Sequence, residues 1–261
     1  NLCTVFVPRA RTSPIGPGCA GVHTPPVMPL LFRDARFQMH FSIFLFGFTG
    51  ILGELISIPT YWLVWWRLGL AAVGFGILLG TVRARGMRWL AWRQMPALAG
   101  VGVVLGLHWA FFFGSIAAAN VSIAVVMLAT SPFMASLIEP LVRNRRILPH
   151  ELALGVLALV GIYLIHQVSL EYWLGMALGL ASAATSALYG ILNKGLVDKH
   201  SALQLNFYEM SGAWLVLGLL SPLLAGLLPG GAAFAVPQGL DWLWLLVLSL
   251  LCTNFAYLLS I

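Results

Sequence analysis

Apolar residues dominate the chain in successive runs of about 20 residues, which short stretches rich in Pro, Gly, Arg and Lys separate. A helix of about 20 apolar residues crosses the hydrocarbon layer of a bilayer, which is roughly 30 Å thick. Window hydropathy predicts about eight transmembrane helices, at residues 37–58, 60–80, 96–116, 120–142, 151–168, 172–193, 203–228 and 241–261. The pattern indicates an all-α membrane protein, a polytopic helix bundle without a soluble domain.

Composition supports a membrane protein and argues against other classes. Apolar residues make up 60% of the 261 residues and charged residues only 8%, whereas soluble domains carry roughly 25% charged residues. The net charge of +6 comes from short basic clusters between apolar runs, which suit anionic lipid headgroups rather than nucleic acid. Cys3, Cys19 and Cys252 lack the spacing of a metal site or a disulfide framework. We therefore expect neither a metal nor another cofactor.

The basic residues also predict the orientation. With eight helices and a cytoplasmic N-terminus, all but one of the 14 basic residues lie on the cytoplasmic side, as the positive-inside rule requires. These residues are Arg9, Arg11, Arg33, Arg36, Arg83, Arg85, Arg88, Arg93, Arg143, Arg145, Arg146, Lys194 and Lys199. We expect an integral protein of the bacterial cytoplasmic (inner) membrane, preceded by a disordered N-terminal tail over residues 1–36.

The two halves of the chain resemble each other. Residues 50–52 (Gly-Ile-Leu) of the first predicted helix recur as residues 190–192 of the sixth, and residues 66–68 of the second align with residues 208–210 of the seventh. Ordered matches of this kind are typical of a duplication. Since the first unit has an odd number of helices, the second enters the membrane from the opposite side, which gives the inverted repeats of many secondary transporters.

Several motifs carry a family resemblance. They are Trp66-Arg67-Leu68 in the second helix, the segment from Ala117 to Pro132 leading into the fourth, Gly155 with Gly161 in the fifth, and Ser186-Ala187-Leu188-Tyr189 in the sixth. Over about residues 37–261 the chain resembles the EamA type of the drug/metabolite transporter superfamily. It departs from that pattern after the fourth helix, where similar proteins usually carry Gly-Glu-Arg and this chain has Arg143-Asn144-Arg145-Arg146.

The resemblance implies a ten-helix carrier built from two five-helix repeats. Residues 37–168 are then the first repeat, and residues 172–261 are an incomplete second repeat of three helices, so we expect two further helices in a complete carrier. It also implies secondary transport of a small organic metabolite, an amino acid or a drug by alternating access, as an exporter or exchanger. The expected partners are membrane lipids, the small-molecule solute and a coupling proton.

Ionisable side chains inside a membrane cost about 2.5–3.5 kcal/mol each and are candidates for function. Arg67 and Glu209 occupy matching positions in the two repeats and have opposite charges. Their predicted heights differ by about 10 Å, which is too far for a direct contact unless the helices tilt. We hypothesise that Arg67 holds an anionic group of the solute, and that Glu209 binds a cationic group or a coupling proton. The alternative is structural, with Arg67 reaching outward and Glu209 facing cytoplasmic water.

Three further residues complete the predicted substrate-binding set. His108 and Trp109 lie in the middle of the third helix, where the imidazole either relays protons or donates to a carbonyl in packing. Asn254 either lines a polar path or bonds across helices. Glu139 stands four residues before Arg143, which predicts a local ion pair, and Pro132 predicts a kink in the fourth helix.

Two other classes of function compete with transport. An intramembrane enzyme would need a motif such as HExxH or GxSxG, and the sequence contains neither. It also lacks the Walker motif GxxxxGK[ST], so we expect no direct use of ATP. We therefore predict that the protein is not an enzyme. The remaining alternative is a non-transporting membrane fragment or interaction protein.

Overall fold

The computed structural model describes residues 35–83, 90, 92–144, 149–150, 152–153, 155–157, 160, 170–197, 199–224, 227 and 233–260. Residues 1–34 of the predicted tail and most of the fifth predicted helix, residues 151–168, lie outside these described residues, whereas residues 35 and 36 already belong to the first helix. The described residues form a bundle of helices without strands. This architecture confirms the predicted all-α membrane fold.

The helices follow the predicted apolar runs closely. They are α1 (Ala35–Glu54), α2 (Thr60–Arg83), α3 (Met95–Ala118), α4 (Val121–Leu128), α5 (Ser131–Arg143), α6 (Trp173–Val197), α7 (Ala202–Leu224) and α8 (Asp241–Leu246). The last helix continues without a break into a π-helix (Val247–Phe255) and then α9 (Ala256–Ser260). Short 3-10 turns precede α3, at Trp92–Gln94, and α6, at Leu170–Tyr172.

Length and hydropathy make several of these helices able to cross a membrane. The described chain has 5 such helices, at Thr60–Thr81, Trp92–Ala118, Trp173–Val197, Ala202–Leu224 and Asp241–Leu258. The pair α4 and α5 makes a sixth span if the two are counted together. The total of about eight helices and the inverted repeat stay predictions.

The fourth predicted helix, residues 120–142, is wrong as a single element. It is divided into α4 and α5, which meet at an angle of 40°. The side chain of Asn120 accepts a hydrogen bond from the backbone of Ile123 and caps α4. Pro132 lies in the first turn of α5, where its missing N–H costs nothing, so it begins a second helix instead of kinking a continuous one.

Close packing around α3 sets the position of the neighbouring helices. α3 packs against both α6 and α7. A Cβ atom added at Gly102 would overlap the carbonyl oxygen of Glu209, and one added at Gly212 would overlap Ala99. Small residues let helix backbones approach this closely. Glycine at position 102 therefore fixes the height of Glu209 on α7 relative to α3.

Candidate functional site

A cavity of about 220 Å³ lies in the interior of the bundle. Its wall combines aromatic rings with hydroxyl groups and one guanidinium, and it draws on both halves of the chain. The lining residues are Phe46, Thr49, Arg67, His108, Trp109, Phe112, Leu128, Ser131, Ser186 and Tyr257. Three members of the predicted substrate-binding set therefore share one wall, while Glu209 and Asn254 are not among the lining residues.

Arg67 is held inside the bundle. Its side chain is 1% exposed. The guanidinium carbon lies 3.9 Å from the ring centroid of Trp109, and Nε donates a hydrogen bond of 3.0 Å to Oγ1 of Thr253. The atom Nη1 is buried and has no hydrogen-bond partner among the residues that the structure describes. Arg67, which lines the cavity, thus carries a charge-bearing N–H donor that the described part of the chain does not satisfy.

The π-helix supplies two polar side chains to α2. Thr253 accepts from Arg67 and donates to the carbonyl of Leu248 at 3.0 Å. The next residue, Asn254, donates to the carbonyl of Ala71 at 3.2 Å. Of the two alternatives for Asn254, the structure therefore shows a bond across helices. The sequence analysis did not single out Thr253, whose only signal was a polar residue within an apolar run.

Tyr257 on α9 lines the cavity, and the sequence analysis did not single it out. Its ring meets that of Trp109 edge to face, with 6.4 Å between the centroids. It therefore shares the cavity wall with Arg67 and Trp109.

His108 joins α3 to α6 through Ser182. Its Nδ1 lies 2.9 Å from the carbonyl oxygen of Ser182, and the Ser182 hydroxyl donates to the carbonyl of His108 at 3.1 Å. Since a carbonyl only accepts, Nδ1 carries the hydrogen when that bond forms. This geometry matches the packing alternative for His108, although the ring also borders the cavity.

Glu209 is completely buried, at 0% exposure, and does not face cytoplasmic water. Its Oε2 accepts a hydrogen bond of 3.0 Å from the hydroxyl of Tyr189, which in turn accepts one of 2.9 Å from the amide of Asn193. Its Oε1 has no hydrogen-bond partner among the residues that the structure describes. Within the described part of the chain, no ion pair joins Glu209 to Arg67.

The ion pair predicted between Glu139 and Arg143 is confirmed. Nε of Arg143 lies 4.0 Å from Oε1 of Glu139, one turn earlier on α5. The same carboxylate oxygen lies 3.5 Å from Nζ of Lys194 on α6. Arg143 also donates to the carbonyl of Ile191 at 3.0 Å. This cluster therefore connects α5 to α6 beside the cytoplasmic side predicted from the basic residues.

The chain is similar to known proteins in its fold and in its sequence. A solved structure described as "Crystal structure of protein" superposes with a TM-score of 0.61 at 17% identity, over 87% of this chain and 77% of that chain, a likeness that concerns the fold alone. No curated protein matches the chain. The model of the EamA-like transporter family matches residues 37–167, which include α1 to α5 and most of the cavity wall. The chain therefore belongs to the EamA-like transporter family, part of the drug/metabolite transporter superfamily.

Proposed function

We propose that the protein exchanges a small organic anion across the membrane by alternating access, with Arg67 holding the anionic group. Membership of the family indicates a membrane transporter of small solutes. The observation that carries the anion is the buried Nη1 of Arg67, which has no hydrogen-bond partner within the described part of the chain, on a residue that lines the cavity. An unpaired buried charge is costly, and a bound carboxylate would offset that cost.

The chemistry of the wall supports a compact organic carboxylate. A guanidinium offers a planar fork of N–H donors that matches the two oxygens of a carboxylate. Phe46, Phe112 and Trp109 give the rest of the solute apolar ring surface, while Ser131 and Ser186 add hydroxyl groups. The cavity of about 220 Å³ suits a solute of amino-acid size. Export or exchange stays the predicted mode of transport.

Solute counterflow in proteoliposomes tests the proposal. A panel of labelled carboxylic acids is compared with the corresponding amides or methyl esters, which keep the shape and lose the charge. We expect counterflow of the acids by the wild type, and loss of that counterflow in Arg67→Gln. Arg93→Gln, which removes an exposed arginine, is the matched control. Equal rates for acids in Arg67→Gln and the wild type would exclude Arg67 as the anion site, and no counterflow of any acid by the wild type would favour the non-transporting alternative.

The cellular location is part of the same proposal. An integral membrane protein is supported by the family and by the apolar helices. The distribution of Lys and Arg supports a bacterial cytoplasmic membrane with the N-terminus inside. A cysteine introduced at Lys199, between α6 and α7, should react with a membrane-impermeant maleimide only in inside-out vesicles. Labelling from the outside of intact cells would reverse the orientation.

A further inference from the structure

Thr49 on α1 brings a buried hydroxyl group to the cavity that the anion site does not use. The residue is 8% exposed and lines the cavity. Its Oγ1 has no hydrogen-bond partner among the residues that the structure describes. A threonine inside a helix can donate to a carbonyl of the preceding turn, as Thr185 does to Ala181 at 2.7 Å. Because Thr49 lacks such a bond, both the donor and the acceptor of its hydroxyl are unsatisfied within the described part of the chain.

A second hydroxyl of the wall complements Thr49. Ser131 on α5 donates its hydrogen to the carbonyl of Leu128 at 2.6 Å, so its oxygen remains only as an acceptor. A hydroxyl group on a solute both donates and accepts. Thr49 and Ser131 together therefore offer both kinds of partner to a hydroxyl group of the solute, and Thr49 offers a donor to an oxo group.

The charges of the wall do not suit a cationic group on the solute. The described residues that line the cavity include Arg67 and no carboxylate. An ammonium group bound there would lose its hydration without meeting an anionic side chain, and it would share a small space with the guanidinium. The face of Trp109 could otherwise hold a cation, but Arg67 already lies 3.9 Å from its centroid. The wall therefore favours a solute whose second polar group is uncharged.

Selection between solutes follows from the cost of unsatisfied buried groups. A bound solute displaces water, so each polar group of the wall that it does not contact is left without a partner. Thr49 and Arg67 line the same cavity of about 220 Å³, which lets one small solute reach both. An acid with a hydroxyl group satisfies Oγ1 of Thr49, whereas the same acid without that group leaves it buried and unpaired.

We propose that Thr49 is a specificity-determining residue, which binds an uncharged hydroxyl or oxo group on the organic acid that Arg67 holds. The inference rests on the proposed function, because it places the carboxylate at Arg67, but it concerns a different residue and a different part of the solute. It narrows the substrate class to hydroxy acids and oxo acids. The corresponding amino acids have the same carboxylate and are disfavoured by their ammonium group.

The experiment compares three acids that share one skeleton. Phenyllactate, phenylpropionate and phenylalanine carry a hydroxyl group, a hydrogen atom and an ammonium group, respectively, on the carbon beside the carboxylate. Lactate, propionate and alanine form a smaller series with the same three groups. Isothermal titration calorimetry of the purified protein measures the affinity for each. We expect the wild type to bind the hydroxy acid about 2- to 10-fold more tightly than the plain acid, and at least about tenfold more tightly than the amino acid.

Variants of Thr49 assign the first preference to its hydroxyl group. Thr49→Val keeps the shape of the side chain and should bind the hydroxy acid and the plain acid about equally. Thr49→Ser keeps the hydroxyl and should retain the preference. Thr81→Val, at the exposed end of α2, is the matched control and should behave as the wild type. The same preference in Thr49→Val as in the wild type would overturn the role of Thr49.

The wild-type measurements decide the substrate class even if Thr49→Val does not fold. Equal affinity for the hydroxy acid and the plain acid, or tighter binding of the amino acid, would overturn the inference. In either case the anion site would still stand if Arg67→Gln weakened binding of all the acids in a series. Unchanged binding in Arg67→Gln, or no binding of any acid by the wild type, would instead refute the proposed anion site and the inference with it.

Discussion

Arg67 on α2 donates from Nε to Oγ1 of Thr253 in the π-helix, at 3.0 Å. The hydroxyl can accept this bond because its own hydrogen is directed to the carbonyl of Leu248, five residues earlier. A widened helical turn with this i to i−5 spacing places the Thr253 side chain towards α2. The guanidinium is thus held on one edge by a hydroxyl and on its face by Trp109, while Nη1 has no hydrogen-bond partner among the described residues.

Replacing Thr253 with valine should weaken both the protein and the anion site. Valine has the same shape but cannot accept a hydrogen bond, so a buried charged donor loses its partner at a cost of about 1–3 kcal/mol. We expect a lower unfolding temperature in detergent and a higher solute concentration for half-maximal counterflow. Thr253→Ser retains the hydroxyl and should restore most of both properties. Unchanged counterflow in Thr253→Val would show that the bond does not position Arg67.

Replacing Trp109 should show how much its aromatic ring contributes to binding of the acid, apart from the charge of Arg67. Trp109→Phe keeps an aromatic face under the guanidinium, whereas Trp109→Leu removes it together with a cation–π attraction of about 0.5–2 kcal/mol. We expect apparent affinity for the acid to fall about 2- to 30-fold in Trp109→Leu and less in Trp109→Phe. Competition against labelled solute at equal pH measures this order. Equal affinity in the two variants would show that the face of the ring contributes nothing.

A single methyl group should force α3 and α7 apart. Gly102→Ala places a Cβ atom against the carbonyl of Glu209, whereas Gly100→Ala, half a turn away on the same helix, meets nothing within 4 Å. Overpacking typically costs 1–3 kcal/mol, and a backbone neighbour yields less than a flexible side chain. We expect Gly102→Ala to unfold or aggregate at lower temperature than the wild type, as followed by size-exclusion chromatography after heating. Gly100→Ala should match the wild type, since it adds only helix propensity.

The ion pairs of Glu139 should contribute little to stability on their own. Glu139→Gln removes the carboxylate near Arg143 and Lys194, at distances of 4.0 and 3.5 Å, in a partly exposed position. Such pairs typically contribute 0–1 kcal/mol and weaken with salt. Arg143→Ala also removes the bond to the carbonyl of Ile191 and should cost more. Thermal unfolding at low and high salt would check the order, and a larger loss in Glu139→Gln would contradict it.

The sequence predicted the features that depend on the length of the apolar runs and on single charged residues within them. Helix positions followed from runs of apolar residues, and Arg67 stood out because a charge within such a run needs a partner. The height difference predicted between Arg67 and Glu209 stays a prediction. The assignment of the five residues to substrate binding stays a prediction.

The features that the sequence did not reveal depend on local backbone geometry. Hydropathy averaged over a window cannot detect the 40° break between α4 and α5, because both parts are apolar. The π-helix changes which residues of the last span face α2, so an ordinary helical periodicity could not assign Thr253 and Asn254 to that side. Tyr257 gave no signal because an aromatic residue near a helix end also suits the membrane interface.

Glycine at position 102 has a consequence for how the protein can move. The backbones of α3 and α7 are too close there for one helix to slide along the other without a collision. In the alternating access that we propose, α3 and α7 are therefore expected to move together, although they belong to different halves of the sequence. A joint is then expected at the break between α4 and α5, where the chain is already bent. Such a division would cut across the two halves of the chain instead of following them.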